Sequence, residues 1–162
     1  MSAPEGRPWL TPDAFFADEA EAFRPFEAIT DLDLAGLDHG PQAHGWSARD
    51  LLAHLVGWHE TATGVAAELR TSTVSPRKAA ADAAWDARGD ELNDEIRKEW
   101  ASLSIEGYLT RASGARDGLI AALRAAPLAN WWENDEYFAY FLSELQEHYA
   151  DHRADLDVVL GG

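Results

Sequence analysis

The sequence predicts an all-α protein, a four-helix bundle with an additional short helical or loop segment. Apolar residues recur at intervals of three and four over several long segments, most of these segments begin at helix-capping residues, and no stretch alternates as a strand would. A chain of 162 residues with 46% hydrophobic residues has the size of one domain and can form a substantial core. We therefore predict a single helical domain over residues 1–162.

The first helix is predicted over residues 12–29. It follows a Thr-Pro-Asp sequence at residues 11–13, which combines a capping hydroxyl, a proline in the first turn and an acidic side chain at the positive end of the helix. Pro25 has no backbone N–H and is expected to bend or interrupt this helix. Three glycines and a proline then predict a long connection over residues 30–45.

The second helix is predicted over about residues 48–70, and it carries a histidine on its buried stripe. The residues at its start resemble a capping box in which aspartate replaces glutamate. His54 lies among the leucines of the stripe, whereas His59 is expected at the boundary of the stripe. Trp58 is interpreted as a core residue and is also a candidate substrate-binding residue.

Two further helices are predicted, over residues 79–100 and from residue 104 to the proline at 127. Asn93 is an unusual polar residue in the interior of the first of them. It is interpreted as either solvent-exposed or a polar group inside a ligand pocket.

An aromatic loop is predicted over residues 129–135. Trp131 and Trp132 are adjacent there, and two neighbouring tryptophans cannot both easily point inward from a loop. We therefore expect one of them to line a ligand pocket, and both are candidate substrate-binding residues.

The last helix is predicted over residues 136–160, with His148 and His152 on its inner stripe. Residues four apart on a helix lie on the same face, so the two imidazoles can meet one metal ion. Together with His54 they can form a three-nitrogen site that leaves a position for water or a thiolate. A satisfied pair of core histidines is the alternative. Asp151 is a candidate general base.

Neutral imidazoles bind divalent ions such as Zn²⁺, Ni²⁺, Cu²⁺ and Fe²⁺. Each such imidazole needs an acceptor for its other ring nitrogen. Carboxylates that lie within one turn of the histidine pair are candidates for this part: Glu144, Glu147, Asp151 and Asp155.

The composition excludes several function classes. A net charge of −16, from 29 acidic and 13 basic residues, argues against a nucleic-acid partner, and it favours solubility or the attraction of cations over anions. No apolar run is long enough to span a membrane and no signal peptide is recognisable, so we expect a cytoplasmic protein. Because there is no cysteine, any thiol chemistry requires an external thiol.

Two segments resemble a known family. Residues 46–58, WSARDLLAHLVGW, are similar to the second-helix signature of the DinB-like superfamily, and the histidines at 148 and 152 resemble the pair in its last helix. The N-terminal domain of mycothiol-dependent maleylpyruvate isomerase is the most similar type. Residues 92–95 and 103–106 are also similar to the colibactin self-resistance branch, which hydrolyses or sequesters strained electrophiles.

The resemblance implies a four-helix bundle that binds a metal, often as a homodimer. It implies that His54, His148 and His152 bind one divalent ion, Zn²⁺ or Ni²⁺ being favoured. It further implies a metal-dependent transferase that conjugates or isomerises a small electrophile with a low-molecular-weight thiol such as mycothiol. A self-resistance or detoxification hydrolase and a non-catalytic sequestration protein are the alternatives. The expected partner is a small molecule, with neither nucleic acid nor membrane involved.

Overall fold

The computed structural model describes residues 6–161, and its secondary-structure elements are helices. Within that range the only strand-like feature is an isolated bridge between Ala43 and Trp46. The predicted all-α class is therefore confirmed. Among the described residues, no helix combines the length and the apolar composition needed to cross a membrane.

The N-terminal helix is shorter than predicted. Helix α1 runs over Pro12–Phe23, and the Thr11 hydroxyl accepts a hydrogen bond from the Ala14 N–H at its start. The chain then tightens into a 3-10 helix over Arg24–Asp31. Pro25 lies at the beginning of this tighter segment, where its missing N–H removes one bond of the α-helical pattern.

The connection after α1 contains a helix that the sequence analysis missed. Helix α2 spans Leu34–His39, and the Asp33 carboxylate accepts a hydrogen bond from the Gly36 N–H at 2.8 Å. It escaped prediction because it is short and contains a glycine. The chain then turns back between Ala43 and Trp46, whose backbones exchange two hydrogen bonds.

Helix α3, Ala48–Leu69, is the central element of the bundle. Its start is held by the predicted capping box, in which Ser47 and Asp50 each accept a hydrogen bond from the other's backbone N–H at 3.1 Å. The long helices α4, Pro76–Ala101, and α5, Ile105–Ala125, both pack against α3.

Helices α3 and α4 approach each other closely at Gly57. A Cβ atom at this position would lie 2.5 Å from Cγ2 of Ile96, a distance that real contacts do not show. Glycine therefore permits this crossing. Helix α4 is otherwise polar, and Trp100 near its end is its only fully buried residue.

The predicted aromatic loop is instead part of the core. Its beginning forms a short helix α6, Leu128–Trp131, and both Trp131 and Trp132 are 0% exposed. Their rings pack edge-to-face at 5.7 Å, and each lies within about 6 Å of the Phe15 ring of α1. The expectation that one tryptophan points into a ligand pocket was based on a loop, and the helical turn removes that constraint by turning both rings inward.

The predicted last helix is interrupted before His148 and again at His152. The interruptions lie at Leu145, with φ −109° and ψ −109°, and at His152, with φ −103° and ψ 8°. The side chain of Gln146 donates to the Phe15 carbonyl of α1 at 3.1 Å, which holds the middle piece against the N-terminal helix. The three pieces are α7, Asp135–Glu144, α8, Gln146–Asp151, and α9, Arg153–Val159.

Candidate metal centre

Three imidazoles from distant parts of the chain meet inside the bundle. His54 comes from the first half of α3, His148 from α8, and His152 from the junction between α8 and α9. The ring centroids are 4.7 Å apart for His54 and His148, 4.9 Å for His54 and His152, and 5.0 Å for His148 and His152. One ligand atom of each residue lies within 4.8 Å of the other two, a spacing that one metal ion can bridge.

The donor set fits a divalent ion. Burial, and to a smaller extent the neighbouring imidazoles, lowers the pKa of both His54 and His148 to about 3. Both rings are therefore neutral near pH 7 and carry a free lone pair. Their Nε2 atoms are 2.9 Å apart, close to the spacing of about 3.3 Å between two nitrogens on one tetrahedral zinc ion.

The same atoms are poorly satisfied as a purely structural core pair. Two ring nitrogens face each other, and the Nδ1 atoms of His54 and His148 are buried without a hydrogen-bond partner among the described residues. Buried polar atoms normally have a hydrogen-bond partner, so these unpaired nitrogens are unusual for a purely structural pair of histidines. A cation held between the two Nε2 atoms would take up both of their lone pairs, and the proton of each ring would then lie on Nδ1.

Asp155 orients the third imidazole. Its Oδ2 lies 2.9 Å from Nδ1 of His152, which leaves the Nε2 of that ring for an ion. Its Oδ1 is 3.2 Å from Nε2 of His44, a residue of the exposed turn before α3. Of the carboxylates considered from the sequence, Asp155 is therefore the one that contacts a histidine of the cluster.

The histidine cluster faces a cavity of about 450 Å³. The cavity lies between α3, α4 and the α7–α8 segment, and Trp58 Nε1 donates to Asn93 Oδ1 across it at 2.9 Å. Trp58 and Asn93, two of the candidate substrate-binding residues, both line this cavity. The remaining lining residues are Trp46, Ala81, Asp82, Trp85, Tyr140, Ser143, Glu144 and Asp151.

The other candidate residues divide between the cavity and the core. Asp151 lines the cavity and is exposed to solvent. Trp131 and Trp132 do not line it, because both are enclosed by phenylalanines. Glu144 was considered only as a partner of the histidines, yet burial and the nearby Asp82 raise its pKa to about 8. Its position four residues before His148 was the available sequence signal.

A second buried histidine has a different environment. His59, expected at the boundary of the stripe, is 0% exposed because α1 covers it. Its Nε2 lies 2.9 Å from the Tyr149 hydroxyl, which donates to Glu19 of α1 at 2.9 Å. Arg116 of α5 completes this chain with two hydrogen bonds to Glu19, at 2.8 and 2.5 Å. We call these four residues the Glu19 network.

A protein-family model described as the mycothiol maleylpyruvate isomerase N-terminal domain matches residues 16–156. The chain belongs to this family. The family is DinB-like, and the match includes the helices that carry all three histidines of the cluster. No curated protein and no solved structure matches the chain. The family thus connects this bundle to mycothiol-related proteins, and the cluster is a possible site for a divalent ion.

Proposed function

We propose that this protein is a metal-dependent transferase that conjugates or isomerises a small electrophile with a low-molecular-weight thiol, mycothiol being the thiol that the family description names. The observation that carries the proposal is the convergence of His54, His148 and His152 on one side of a cavity of about 450 Å³. A cavity of this size accommodates a small molecule. The absence of cysteine means that the thiol comes from outside the chain.

The three histidines would hold the ion. Zn²⁺ and Ni²⁺ are both suited to imidazole ligands. A divalent ion bound there supplies positive charge that lowers the pKa of an adjacent thiol or water. His152 is oriented by Asp155, and His54 is buried in the first half of α3.

Two carboxyl groups move the protons. When the thiol adds to a double bond of the electrophile, the S–H bond breaks and an S–C bond forms. Asp151, at the open side of the cavity, accepts the thiol proton. The Glu144 carboxyl, protonated near pH 7 because its pKa is raised to about 8, donates a proton to the substrate. Exchange with solvent then restores both groups.

The test combines metal analysis with turnover of an electrophile. The purified protein is compared with His148→Ala and with His39→Ala, which removes an exposed imidazole outside the cavity. We expect about one ion per chain in the wild type and in His39→Ala, and none in His148→Ala. Equal, negligible metal in all three would end the proposal.

Turnover is measured with a chromogenic electrophile in the presence and absence of added thiol. Thiol-dependent turnover that is lost in His148→Ala supports the transferase. Turnover that needs no thiol indicates a detoxification hydrolase instead, and consumption of one electrophile per chain indicates a sequestration protein.

A further inference from the structure

A hydrogen-bonded pair of side chains joins α3 and α4 inside the cavity. Nε1 of Trp58 donates to Oδ1 of Asn93 at 2.9 Å, and both side chains line the cavity together with His54. His54 and Trp58 are four residues apart on α3, so they share one face of that helix. Burial lowers the pKa of His54, and the Asn93 side chain partly offsets this effect, which places the amide beside the imidazole.

The direction of the amide follows from the chemistry of the indole. An indole N–H can only donate, so the amide atom that faces it is the oxygen, and the NH2 group takes the other position. This NH2 group makes no hydrogen bond to any described residue. Its nitrogen is not enclosed by protein, in contrast to the unpaired Nδ1 atoms of His54 and His148. Asn93 therefore offers N–H donors to a molecule in the cavity.

Negative charge near this amide is largely neutralised. Burial, and to a smaller extent Asp82, raises the pKa of Glu144 to about 8, so this carboxyl is protonated near pH 7. Asp82 itself is paired with the ammonium of Lys78 at 2.7 Å, and the three histidines are the candidate site of a divalent cation. Asp151 lies at the open side and is exposed to solvent. An oxygen atom that carries or gains negative charge is therefore tolerated beside the amide.

We propose that Asn93 selects and orients the substrate by donating from its NH2 group to a carbonyl oxygen, and that Trp58 is a positioning residue that fixes the direction of the amide. The assignment rests on the function proposed above, because it takes this cavity as the substrate site. It defines the electrophile as a compound whose C=C bond is conjugated to a carbonyl group.

The amide acts where charge develops during the addition. As the thiol sulfur bonds to the far carbon of the C=C bond, the π electron pair moves toward the carbonyl oxygen, to which Asn93 donates. The carbonyl double bond then re-forms, and the electron pair takes the proton of Glu144 to make a C–H bond at the carbon next to the carbonyl. The proton of the thiol goes to Asp151, as proposed above.

The binding test uses two neutral probes of the same shape that do not react with thiols: acetophenone, and α-methylstyrene, in which a CH2 group replaces the carbonyl oxygen. Calorimetric titration gives both dissociation constants, for the protein as purified and again with a chelator. The quantity compared is the ketone preference, defined as the dissociation constant of α-methylstyrene divided by that of acetophenone. Because both probes are neutral, this ratio is insensitive to the net charge of the cavity.

Three variants connect the ketone preference to the amide. Asn93→Asp keeps an oxygen for the indole N–H but loses the NH2 group, and Asn93→Leu has no donor at any pH. Asn134→Asp is the same exchange at the cap of α7, outside the cavity, where aspartate caps equally well. We expect both Asn93 variants to lower the ketone preference about fivefold and Asn134→Asp to leave it unchanged. A preference that is unchanged in both Asn93 variants, or no binding of acetophenone to the wild type, would overturn the proposal.

The infrared C=O stretch of bound acetophenone reports the hydrogen bond directly. We expect a lower frequency in the wild type than in Asn93→Leu, because a hydrogen bond to the oxygen weakens the C=O bond. A purely structural role of Asn93, in which its oxygen only satisfies the indole, would leave this frequency unchanged and would refute the assignment.

The positioning role of Trp58 is tested by Trp58→Phe, which keeps an aromatic ring but removes the N–H group. The amide can then turn, and we expect the ketone preference to fall about twofold. In the Asn93→Leu background the same exchange should cause no further change, because Trp58 acts through Asn93. A further fall in that background would contradict this role.

The outcomes separate this proposal from the proposed function. If turnover is thiol-dependent but the ketone preference does not depend on Asn93, the transferase stands and the assignment of Asn93 fails. If the preference depends on Asn93 but no thiol-dependent turnover is found, the transferase fails and the carbonyl-binding site stands.

Discussion

His54 and His59 lie on the same helix, five residues apart, and each meets a side chain of α8, yet their surroundings differ in kind. His54 faces another imidazole, with its Nε2 2.9 Å from that of His148. His59 faces the Tyr149 hydroxyl at the same distance, and that hydroxyl is bound in turn to Glu19. The first contact brings together like groups beside a cavity, and the second brings together complementary groups inside the core.

The difference teaches how a functional histidine can be distinguished from a structural one. In the Glu19 network a carboxylate, a guanidinium and a hydroxyl satisfy one another, so a buried charge pair is tolerated. In the histidine cluster two neutral rings face each other through nitrogens of the same kind, an arrangement that suits a shared cation. Burial alone does not discriminate, because both histidines are buried and both have a pKa lowered to about 3.

The largest expected effect is the loss of stability of the metal-free protein in acid. It tests the property that the histidine cluster and the Glu19 network share, which is a buried histidine with a lowered pKa. His54, His59 and His148 have a folded pKa of about 3 against 6.5 in the unfolded chain. As the pH falls below 6.5, the unfolded state binds protons that the folded state does not, so stability is lost down to about pH 3. At pH 5 we expect a loss of about 2 kcal/mol per histidine, measured by urea unfolding.

Glu144 opposes part of this loss and provides the control. Its pKa is raised from 4.5 to about 8, so the folded state binds the additional proton in this window and stability falls as the pH rises through it. The Glu144→Gln variant should therefore lose more stability than the wild type between pH 7 and pH 5. A urea midpoint that stays constant over this interval in the variant is incompatible with buried neutral histidines.

The next largest expected effect comes from removing the carboxylate of the Glu19 network. Glu19→Ala leaves Arg116 without its carboxylate partner in a half-buried position, and we expect a loss of about 3 kcal/mol in the free energy of unfolding. The metal content of the folded protein should be unchanged, because Glu19 does not contact the cluster. Asp18→Ala, an exposed neighbour on α1, is the control. A loss of metal with little loss of stability would reverse the assignment of the two regions.

The third largest expected effect is the stabilisation of the folded protein by a metal ion bound to the histidine cluster. A ligand that binds only the folded state stabilises it by about 2.7 kcal/mol at a free concentration 100 times its dissociation constant. Added Zn²⁺ or Ni²⁺ should therefore raise the unfolding temperature of the wild type and of His39→Ala but not that of His54→Ala. The measurement is a thermal scan with and without the ion. Equal stabilisation of His54→Ala would place metal binding elsewhere in the protein.

The smallest expected effect comes from weakening one hydrogen bond of a histidine that is a candidate metal ligand. Asp155→Asn weakens the acceptor for His152 Nδ1, and we expect about a tenfold loss of metal affinity in a competition assay. The unfolding free energy in chelator should change by less than about 1 kcal/mol, because the aspartate is near the surface. Asp157→Asn, two residues away and exposed, should retain the wild-type affinity.

Several elements of the bundle follow from local sequence. Ser47 and Asp50 predict the start of α3 because a capping box depends on four neighbouring residues, and it forms as expected. Pro25 predicts an interruption of the first helix for the same local reason. The break at Leu145 was not predictable, since the contact of the adjacent Gln146 with the Phe15 carbonyl joins residues 131 positions apart.

The positions of the candidate site residues were likewise predictable from local sequence in some cases and not in others. The four-residue spacing places His148 and His152 on one face, and the apolar stripe around His54 predicts that it points inward. The expectation that Trp131 and Trp132 cannot both point inward was wrong because it assumed a loop, whereas both rings fill the core beside α1. Neither periodicity nor spacing indicated that His59 contacts the Tyr149 hydroxyl of the Glu19 network.

By itself, the sequence determined the helical class, the helix caps and the pairing of two imidazoles, because each depends on residues within one or two turns. The tertiary structure alone decided which histidine meets a cavity and which meets a tyrosine. The partners that settle this lie 94 residues from His54 and 90 residues from His59 in the chain. Their chemistry is set by the packing of α1 and α8 against α3, and no local pattern encodes that packing.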